Sequence, residues 1–316
     1  MAAWIIDGHC DSIGEYANGE RVLLGAEGEK GQWDIKRAGA GNIRLQFMAS
    51  YIEANYKPYR AMERGLQLLD ASWRFAQENT DAVFLVLTKE DVRQLPHPEK
   101  LGLLLSVEGG EILDGQLFML DIIYRLGVRA LGLTWNQRNA LADGVDEEET
   151  GGRLTRFGRQ VIRRMNTLGM LIDVSHLNQA GFWQVLEISD RPVIASHSCA
   201  QALCPHRRNL TDDQLRALAV KRGVAGVNFA PAFLVAEGAA RLHDVIRHIQ
   251  HMADIAGVEV IGLGSDFDGI PEGPEGLEHA GCYPQLIEAL SKAGFASREI
   301  SQITHENFQR VLLETL

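Results

Sequence analysis

The sequence predicts an α/β fold: a (β/α)8 barrel of TIM type, with its site at the C-terminal ends of the strands, as a single domain over residues 1–316. Three observations predict it. Short apolar runs rich in β-branched residues recur along the whole chain. Amphipathic helical patterns lie between them. Ionisable residues sit at the end of strand after strand. The 316-residue length suits one such domain, since about 250 residues is typical of these barrels.

The predicted strands are Ala3–Gly8, Ile43–Ala49, Gly102–Val107, Ala130–Thr134, Leu171–Ser175, Val193–Ser196, Val224–Phe229 and Val260–Gly264. They are apolar throughout rather than alternating, as strands covered on both faces are. Pro58–Gln77 reads as a helix with Met62, Leu66, Leu69 and Trp73 on its apolar face, and Gln116–Leu126 as another stopped by Gly127. Thr155 caps a helix whose buried face is Phe157, Val161, Ile162, Met165 and Leu168, ended by Gly169. Helices follow from Asp212 to Val220, at Leu242–Ala256, at Gln285–Ala293 and at Ser297–Leu313. A doubly wound open sheet would want a glycine-rich phosphate loop after the first strand, and Asp7-Gly-His-Cys-Asp11 is not one. Two long polar loops, Ser12–Trp33 and Arg138–Arg153, are candidates for a lid or a pocket wall.

Composition narrows the function. The chain is 46% hydrophobic and 23% charged, ordinary for a globular protein. A net charge of −11 disfavours nucleic acid and anionic membranes, whose attraction needs the opposite sign. Cys10, Cys199, Cys204 and Cys282 contain no C-x-x-C and form no disulfide framework. The first residues show no basic leader, and the most apolar long stretch, Val224 to Ala240, is broken by Asn228, Pro231 and Glu237. A soluble cytoplasmic protein is expected.

His9 and Asp11 end the first predicted strand, Glu108 the third, His176 the fifth, His197 the sixth and Asp266 the eighth. His-x-Asp places both side chains on one face of an extended strand, within reach of one cation. Each residue alone has an ordinary structural explanation; their joint occurrence at strand ends does not. Three imidazoles, an aspartate and a glutamate able to bridge suit two divalent metals of the zinc class, whereas magnesium or calcium would call for oxygen ligands alone. Other histidines are expected to be bystanders. His243, His248 and His251 fall on one helix and are read as a solvated face, and His97, His279 and His305 as surface. Cys10 is read as packing. Phe233, after the seventh strand, is a pocket-wall candidate, with core packing as the alternative.

The segments Asp7-Gly-His-Cys-Asp11, Val107-Glu-Gly-Gly110, Leu171-Ile-Asp-Val-Ser-His176, Ser196-His-Ser198, Arg207-Arg-Asn209 and Gly264-Ser-Asp-Phe-Asp-Gly269 together resemble the membrane (renal) dipeptidases, zinc enzymes of the amidohydrolase-like barrel superfamily. The resemblance implies two zinc ions per chain. His9 and Asp11 would bind one, His176 and His197 the other, and Glu108 would bridge them. It implies that Arg208 binds the substrate's terminal carboxylate, and that Asp266 handles the proton beside a metal-bridging hydroxide. Asp268 is expected to be structural. The family commonly tolerates a D-residue at the C-terminal position of the dipeptide. One position departs from the mammalian pattern. Where that pattern has Leu-Thr-His, this chain has Leu133-Thr134-Trp135, so Trp135 is read as pocket wall.

The function expected is therefore hydrolysis of dipeptides, by an enzyme with a small-molecule substrate, no nucleic-acid or membrane partner and room for a homodimer. Two alternatives stand beside it. One is another metal hydrolase on the same barrel, acting on cyclic amides, lactones, phosphoesters or N-acyl amino acids. The other is a non-catalytic binding protein on this scaffold. Arg208 separates a dipeptidase from the neutral cases among these, cyclic amides and lactones, since a neutral substrate does not need it.

Overall fold

The computed structural model describes residues 3–25 and 30–316. Among these residues, nine strands form one parallel sheet: β1 Ile5–Cys10, β2 Ile43–Tyr51, β3 Val83–Leu85, β4 Leu101–Glu108, β5 Val128–Gly132, β6 Leu171–Asp173, β7 Val193–Ala195, β8 Val224–Val227 and β9 Ile261–Leu263. β1 and β9 pair through Asp7 and Leu263, and β2 and β4 pair from Leu45–Gly102 to Tyr51–Glu108. These two pairings close eight strands into a barrel. The ninth, β3, lies beside the start of β4 at Leu101–Leu103, on the edge that β5 takes up from Leu105 onward. Sequence reading missed β3, although it sits in the apolar run 82–87 and is no shorter than β6, β7 or β9.

Closure explains the apolar strands. Ile6, Leu45, Phe47, Leu104, Ala130, Leu171, Ile194 and Val224 form one buried cluster with Phe308 of the last helix, filling the barrel below its mouth. The other strand faces join a larger cluster with the surrounding helices. Two glycines near the mouth are required by close approach. A Cβ at Gly264 would lie 1.9 Å from the Ser196 carbonyl oxygen, and one at Gly226 2.1 Å from it. Their absence lets the chain after β7 press inward, which carries His197 towards the barrel axis.

The helices agree with the sequence where caps are clear. Arg156–Leu168 begins at Thr155, whose hydroxyl accepts from the Gly158 N–H, and ends at Gly169 with φ 72°. Asp212–Val220 and Leu242–Ala256 have the expected bounds. Elsewhere tertiary contacts decided. In Ala61–Glu78 the buried face is Gly65, Leu68, Leu69, Ser72 and Phe75, while Met62, Leu66 and Trp73 stand at its edge. A helix not assigned from sequence, Gln179–Ile188, starts at Asn178, whose side chain accepts from the Gly181 N–H. The C-terminal helix is interrupted by a π turn at Gln302–Glu306.

Two histidines contradict the expected surface placement. His248 is buried, accepting at Nδ1 from the Ala200 N–H (3.1 Å) and donating from Nε2 to the Leu234 carbonyl (3.0 Å). His305 is buried against Trp4, with ring centroids 4.1 Å apart. In both cases a partner distant in sequence covers the ring. His243 is exposed, and His251 is half-buried and paired with Asp212 at 2.8 Å. No helix among the described residues is long and apolar enough to cross a membrane.

Candidate metal and active site

The mouth of the barrel holds a cavity of about 480 Å³, lined among others by Asp11, Glu108, His176, Arg208, Trp135, Phe233 and Asp266. His9 and His197 lie buried beside it. All nine residues singled out from sequence therefore meet in one region, although they come from seven different strand ends and loops. The cavity is shaped by short loop ends. Among its lining residues there is none from 12–33 or 138–153, so the described parts of the two long loops do not wall it; residues 26–29 of the first lie outside the described residues. The first loop is instead tied down by Asp268. Its carboxylate accepts from the Ser12 hydroxyl (2.5 Å), the Arg21 guanidinium (2.9 Å) and the Gln32 and Trp33 N–H groups (2.6 and 3.3 Å). Those donors match the structural role expected of Asp268.

Glu108 stands at the centre, with its two oxygens facing different partners. Oε2 lies 3.8 Å from His9 Nε2, while Oε1 lies 2.8 Å from His176 Nε2 and 3.4 Å from His197 Nε2. Asp11 Oδ2 is 3.3 Å and Asp266 Oδ1 3.9 Å from His9 Nε2. Donor atoms within 4.8 Å of one another make two groups that share Glu108: His9, Asp11, Glu108 and Glu108, His176, His197. A third, His9, His197, Asp266, crosses between them.

Outer contacts fix which ring nitrogens carry protons. The Asn136 amide oxygen, 2.6 Å away, accepts a hydrogen bond from His176 Nδ1–H. The Ser196 hydroxyl donates to Asp173 Oδ2 (2.5 Å) and so accepts from His197 Nδ1 at 2.8 Å. With both Nδ1 atoms protonated, the two neutral rings turn Nε2 lone pairs towards each other at 2.9 Å and towards the Glu108 carboxylate. Three acceptors with no proton between them repel; a cation at their centre reverses the sign. His9 Nε2 and Asp11 Oδ1 are likewise buried without a hydrogen-bond partner. Gly269 leaves the remaining room, since a Cβ there would lie 2.1 Å from Asp11 Oδ2 and 2.5 Å from Asp266 Oδ1. The donor set, the orphaned atoms and the open cradle fit divalent metal of the zinc class.

Electrostatics follow the same logic. Burial, with the Arg208 guanidinium nearby, holds the His176 imidazole down to about 3, and burial also lowers His197, so both are in the neutral form that ligates. Burial works against the His9 proton, but the Asp11 and Glu108 carboxylates outweigh it and push that ring up to about 10. Proton and metal thus compete at His9. Burial raises Asp266 to about 7, and the neighbouring carboxylates of Asp11 and Glu108 add to the rise. Asn228 anchors this residue, its Nδ2 donating to Oδ2 at 2.9 Å. His176, Asp266 and Asp268 all have φ between 63° and 67°, a left-handed backbone that non-glycine residues adopt at a cost of order 1 kcal/mol each.

Arg208 is buried at 4% exposure. Its Nη2 donates to the His197 carbonyl at 3.2 Å, its Nε has no partner, and the Phe233 ring lies 5.6 Å from its guanidinium carbon. Among the described residues no carboxylate lies within ion-pair distance of it. His206 stacks on Phe233 at 4.5 Å, and Arg207 turns away to Asp146 at 2.7 Å. Trp135 forms another wall with Tyr51, 5.3 Å from ring to ring. Sequence reading missed Asn136, Asp173, Ser196 and Asn228, the residues that orient His176, His197 and Asp266. Three of the four lie within three residues of a named site residue, and Asn228 directly follows β8, so strand-end position was the signal available.

Comparison with known proteins agrees with this geometry. The model of the family described as membrane dipeptidase (peptidase family M19) matches residues 1–315. The dipeptidase aclJ of Aspergillus oryzae is 34% identical over 293 residues, covering 89% of this chain and 69% of that protein. An uncharacterized dipeptidase of Schizosaccharomyces pombe is 34% identical over 299 residues, 89% of this chain and 72% of its own. Among solved structures, a metallopeptidase from Rhodobacter sphaeroides, liganded with a phosphinate mimic of the dipeptide L-Ala-D-Ala, superposes with a TM-score of 0.93 at 27% identity over 99% of both chains. The dipeptidase AC, a metallopeptidase of family M19, superposes with a TM-score of 0.93 at 28% identity over 100% of this chain and 99% of that one.

Proposed function

The chain belongs to the membrane dipeptidase family, whose members hydrolyse peptide bonds with metal, and we propose that it cleaves free dipeptides, including those with a D-residue at the C-terminal position, using two zinc ions held by His9, Asp11, Glu108, His176 and His197. A single domain over residues 1–316 is part of this reading. One juxtaposition carries it: a cluster of acceptors that needs cations shares a cavity with a buried arginine that has no carboxylate. The dipeptide mimic bound by the Rhodobacter sphaeroides relative supports the substrate class and the D-residue.

Zinc bound at this cluster supplies Lewis acidity, polarising the scissile carbonyl and making water a nucleophile near neutral pH. The chain supplies the rest. Arg208 presents its planar fork to the free carboxylate, which sets the distance from the C-terminus to the reacting bond and so selects dipeptides. Asp266 takes the water's proton at Oδ1, the oxygen that faces His9, while Asn228 holds Oδ2, and then passes that proton to the leaving amine. Trp135 and Phe233 confine the side chains. A neutral cyclic amide or lactone would leave the buried Arg208 charge uncompensated, which disfavours such substrates.

The test is a steady-state assay of the zinc-loaded protein on a panel of L-L and L-D dipeptides, with an N-acyl amino acid and a lactone as controls. Hydrolysis of the dipeptides with kcat/KM at least tenfold above both controls is the expected result. A preference for the lactone would overturn the reading.

A further inference from the structure

Beside the catalytic cavity lies a second one, of about 560 Å³, which no step of the reaction uses. Its lining includes Lys57, Gly110, Glu111, Gln137 and Arg138, from the loops after β2, β4 and β5. The same three strand ends carry Tyr51, Glu108 and Trp135 into the catalytic cavity. Tyr51 and Trp135 line only the first cavity and Lys57 only the second, and Lys57 Nζ lies within about 6 Å of both rings, so the two rings and Lys57 stand between the cavities.

The backing of this wall is unusual. Lys57 Nζ lies 3.2 Å from Glu111 Oε1, with both side chains nine-tenths buried. Yet neither Nζ nor either Glu111 oxygen makes a hydrogen bond. A buried ion pair without further hydrogen bonds is a poor device for stability, because desolvation consumes what the pairing returns. Its surroundings give it another use. The ammonium stands 5.4 Å from the Trp135 ring centroid and 5.8 Å from that of Tyr51, within cation–π range of both. Glu111 is in turn embraced by the turn that follows Glu108. A Cβ at Gly109, where φ is 103°, would lie 2.4 Å from Glu111 Oε2 and 3.8 Å from Lys57 Nζ. One charge thus ties together two rings that come from different strands.

We propose that Lys57, held by Glu111, is a positioning residue that fixes the Trp135–Tyr51 pair as a partition between the two cavities, and thereby restricts the dipeptide to compact side chains. Lys57 does not line the catalytic cavity; it acts through the rings. Released from the charge, the indole and phenol gain rotamer freedom, the cavities join, and bulky residues gain room. This inference rests on the dipeptidase reading, and the experiment keeps the two apart.

Full-length, zinc-loaded wild type and the variants Lys57→Met, Lys57→Arg and Glu111→Gln are assayed on alanyl-alanine and on a dipeptide with two aromatic side chains, with metal content measured alongside. Lys57→Met keeps the stem and removes the charge. In Lys57→Met and Glu111→Gln the ratio of kcat/KM for the bulky over the compact dipeptide should rise about tenfold, through a lower KM for the bulky one. Lys57→Arg, which keeps a cation against the rings, should return the ratio to within about threefold of wild type. A ratio unchanged in both charge-removing variants at normal metal content overturns the proposal. So does an equal fall of kcat on both substrates in Lys57→Met and Lys57→Arg alike, the mark of a merely structural role. Acrylamide quenching of tryptophan fluorescence is a second readout, independent of turnover. Lys57→Met should increase quenching, and the increase should vanish when Trp135→Phe is added; no increase overturns the partition. Were the wild type inactive on every dipeptide, the dipeptidase reading would fail and quenching alone would decide the partition.

Discussion

Replacing Arg208 with alanine removes the one buried cation, among the described residues, that faces the candidate metal cluster without a carboxylate of its own. On the proposed reading the substrate's terminal carboxylate would supply that partner in a dry site. A hydrogen bond to a charged group is worth about 1.5–3 kcal/mol. At 1.36 kcal/mol per decade that predicts a loss of roughly 10- to 150-fold in kcat/KM. The carboxylate is present in the ground state and the transition state alike, so the loss should fall mainly on KM. One side effect must be separated. Arg208 Nη2 also donates to the His197 carbonyl at 3.2 Å, so the variant loosens a residue of the metal cluster. Metal content measured on the same preparation controls for this. The decisive assay compares a dipeptide with its C-terminal amide in wild type and variant. Amidation should cost the wild type the same 10- to 150-fold and the variant less than about threefold, the coupling a double-mutant cycle reads. Arg208→Lys should fall between them, since it keeps the charge and loses the fork. Equal sensitivity to amidation in wild type and Arg208→Ala would refute the assignment.

Three further outcomes are expected. Glu108→Ala should lower bound zinc at both positions and His9→Ala at mainly one, read by elemental analysis of protein purified without chelator; equal depletion by both would contradict a Glu108 bridge. Asp266→Asn should keep its hydrogen-bonding volume and most of the metal while kcat drops about 10²-fold or more, the scale of general acid–base catalysis; metal lost in step with activity would make Asp266 a ligand. Gly269→Ala places a methyl group where Asp11 Oδ2 and Asp266 Oδ1 would lie 2.1 and 2.5 Å from it, so the carboxylates must shift. Bound zinc or kcat should then fall at least tenfold with little change in Tm, and an unaltered enzyme would show that the cradle is not needed.

The candidate constellation was legible in the sequence because a barrel turns strand order into a ring. Once eight buried strands are recognised, a polar residue at each C-terminal end has one place to go, and His9, Asp11, Glu108, His176, His197 and Asp266 go there. The helix at Arg156–Leu168 was legible through its caps, which are local chemistry. Neighbours distant along the chain were not legible. His248 and His305 read as surface residues because their covers, the 200 and 234 backbone and Trp4, lie far away in sequence. The long loop after β1 read as a lid or pocket-wall candidate because its anchor, Asp268, belongs to the opposite end of the chain.

By itself, then, the sequence determined the periodic features: strand count around the barrel, the helices Arg156–Leu168, Asp212–Val220 and Leu242–Ala256, and the residue types gathered at the mouth. Tertiary structure alone decided how those residues act. Which imidazole nitrogen is protonated depends on Asn136 and Ser196, and which Glu108 oxygen faces which histidine depends on barrel closure through β2 and β4. Whether Arg208 is paired, and whether Lys57 backs Trp135, depends on loops from three strands meeting in a dry space. The physical reason is range. Propensity, capping and burial period act over a few residues, whereas hydrogen-bond partners and charge compensation are fixed by contacts that only closure of the sheet creates.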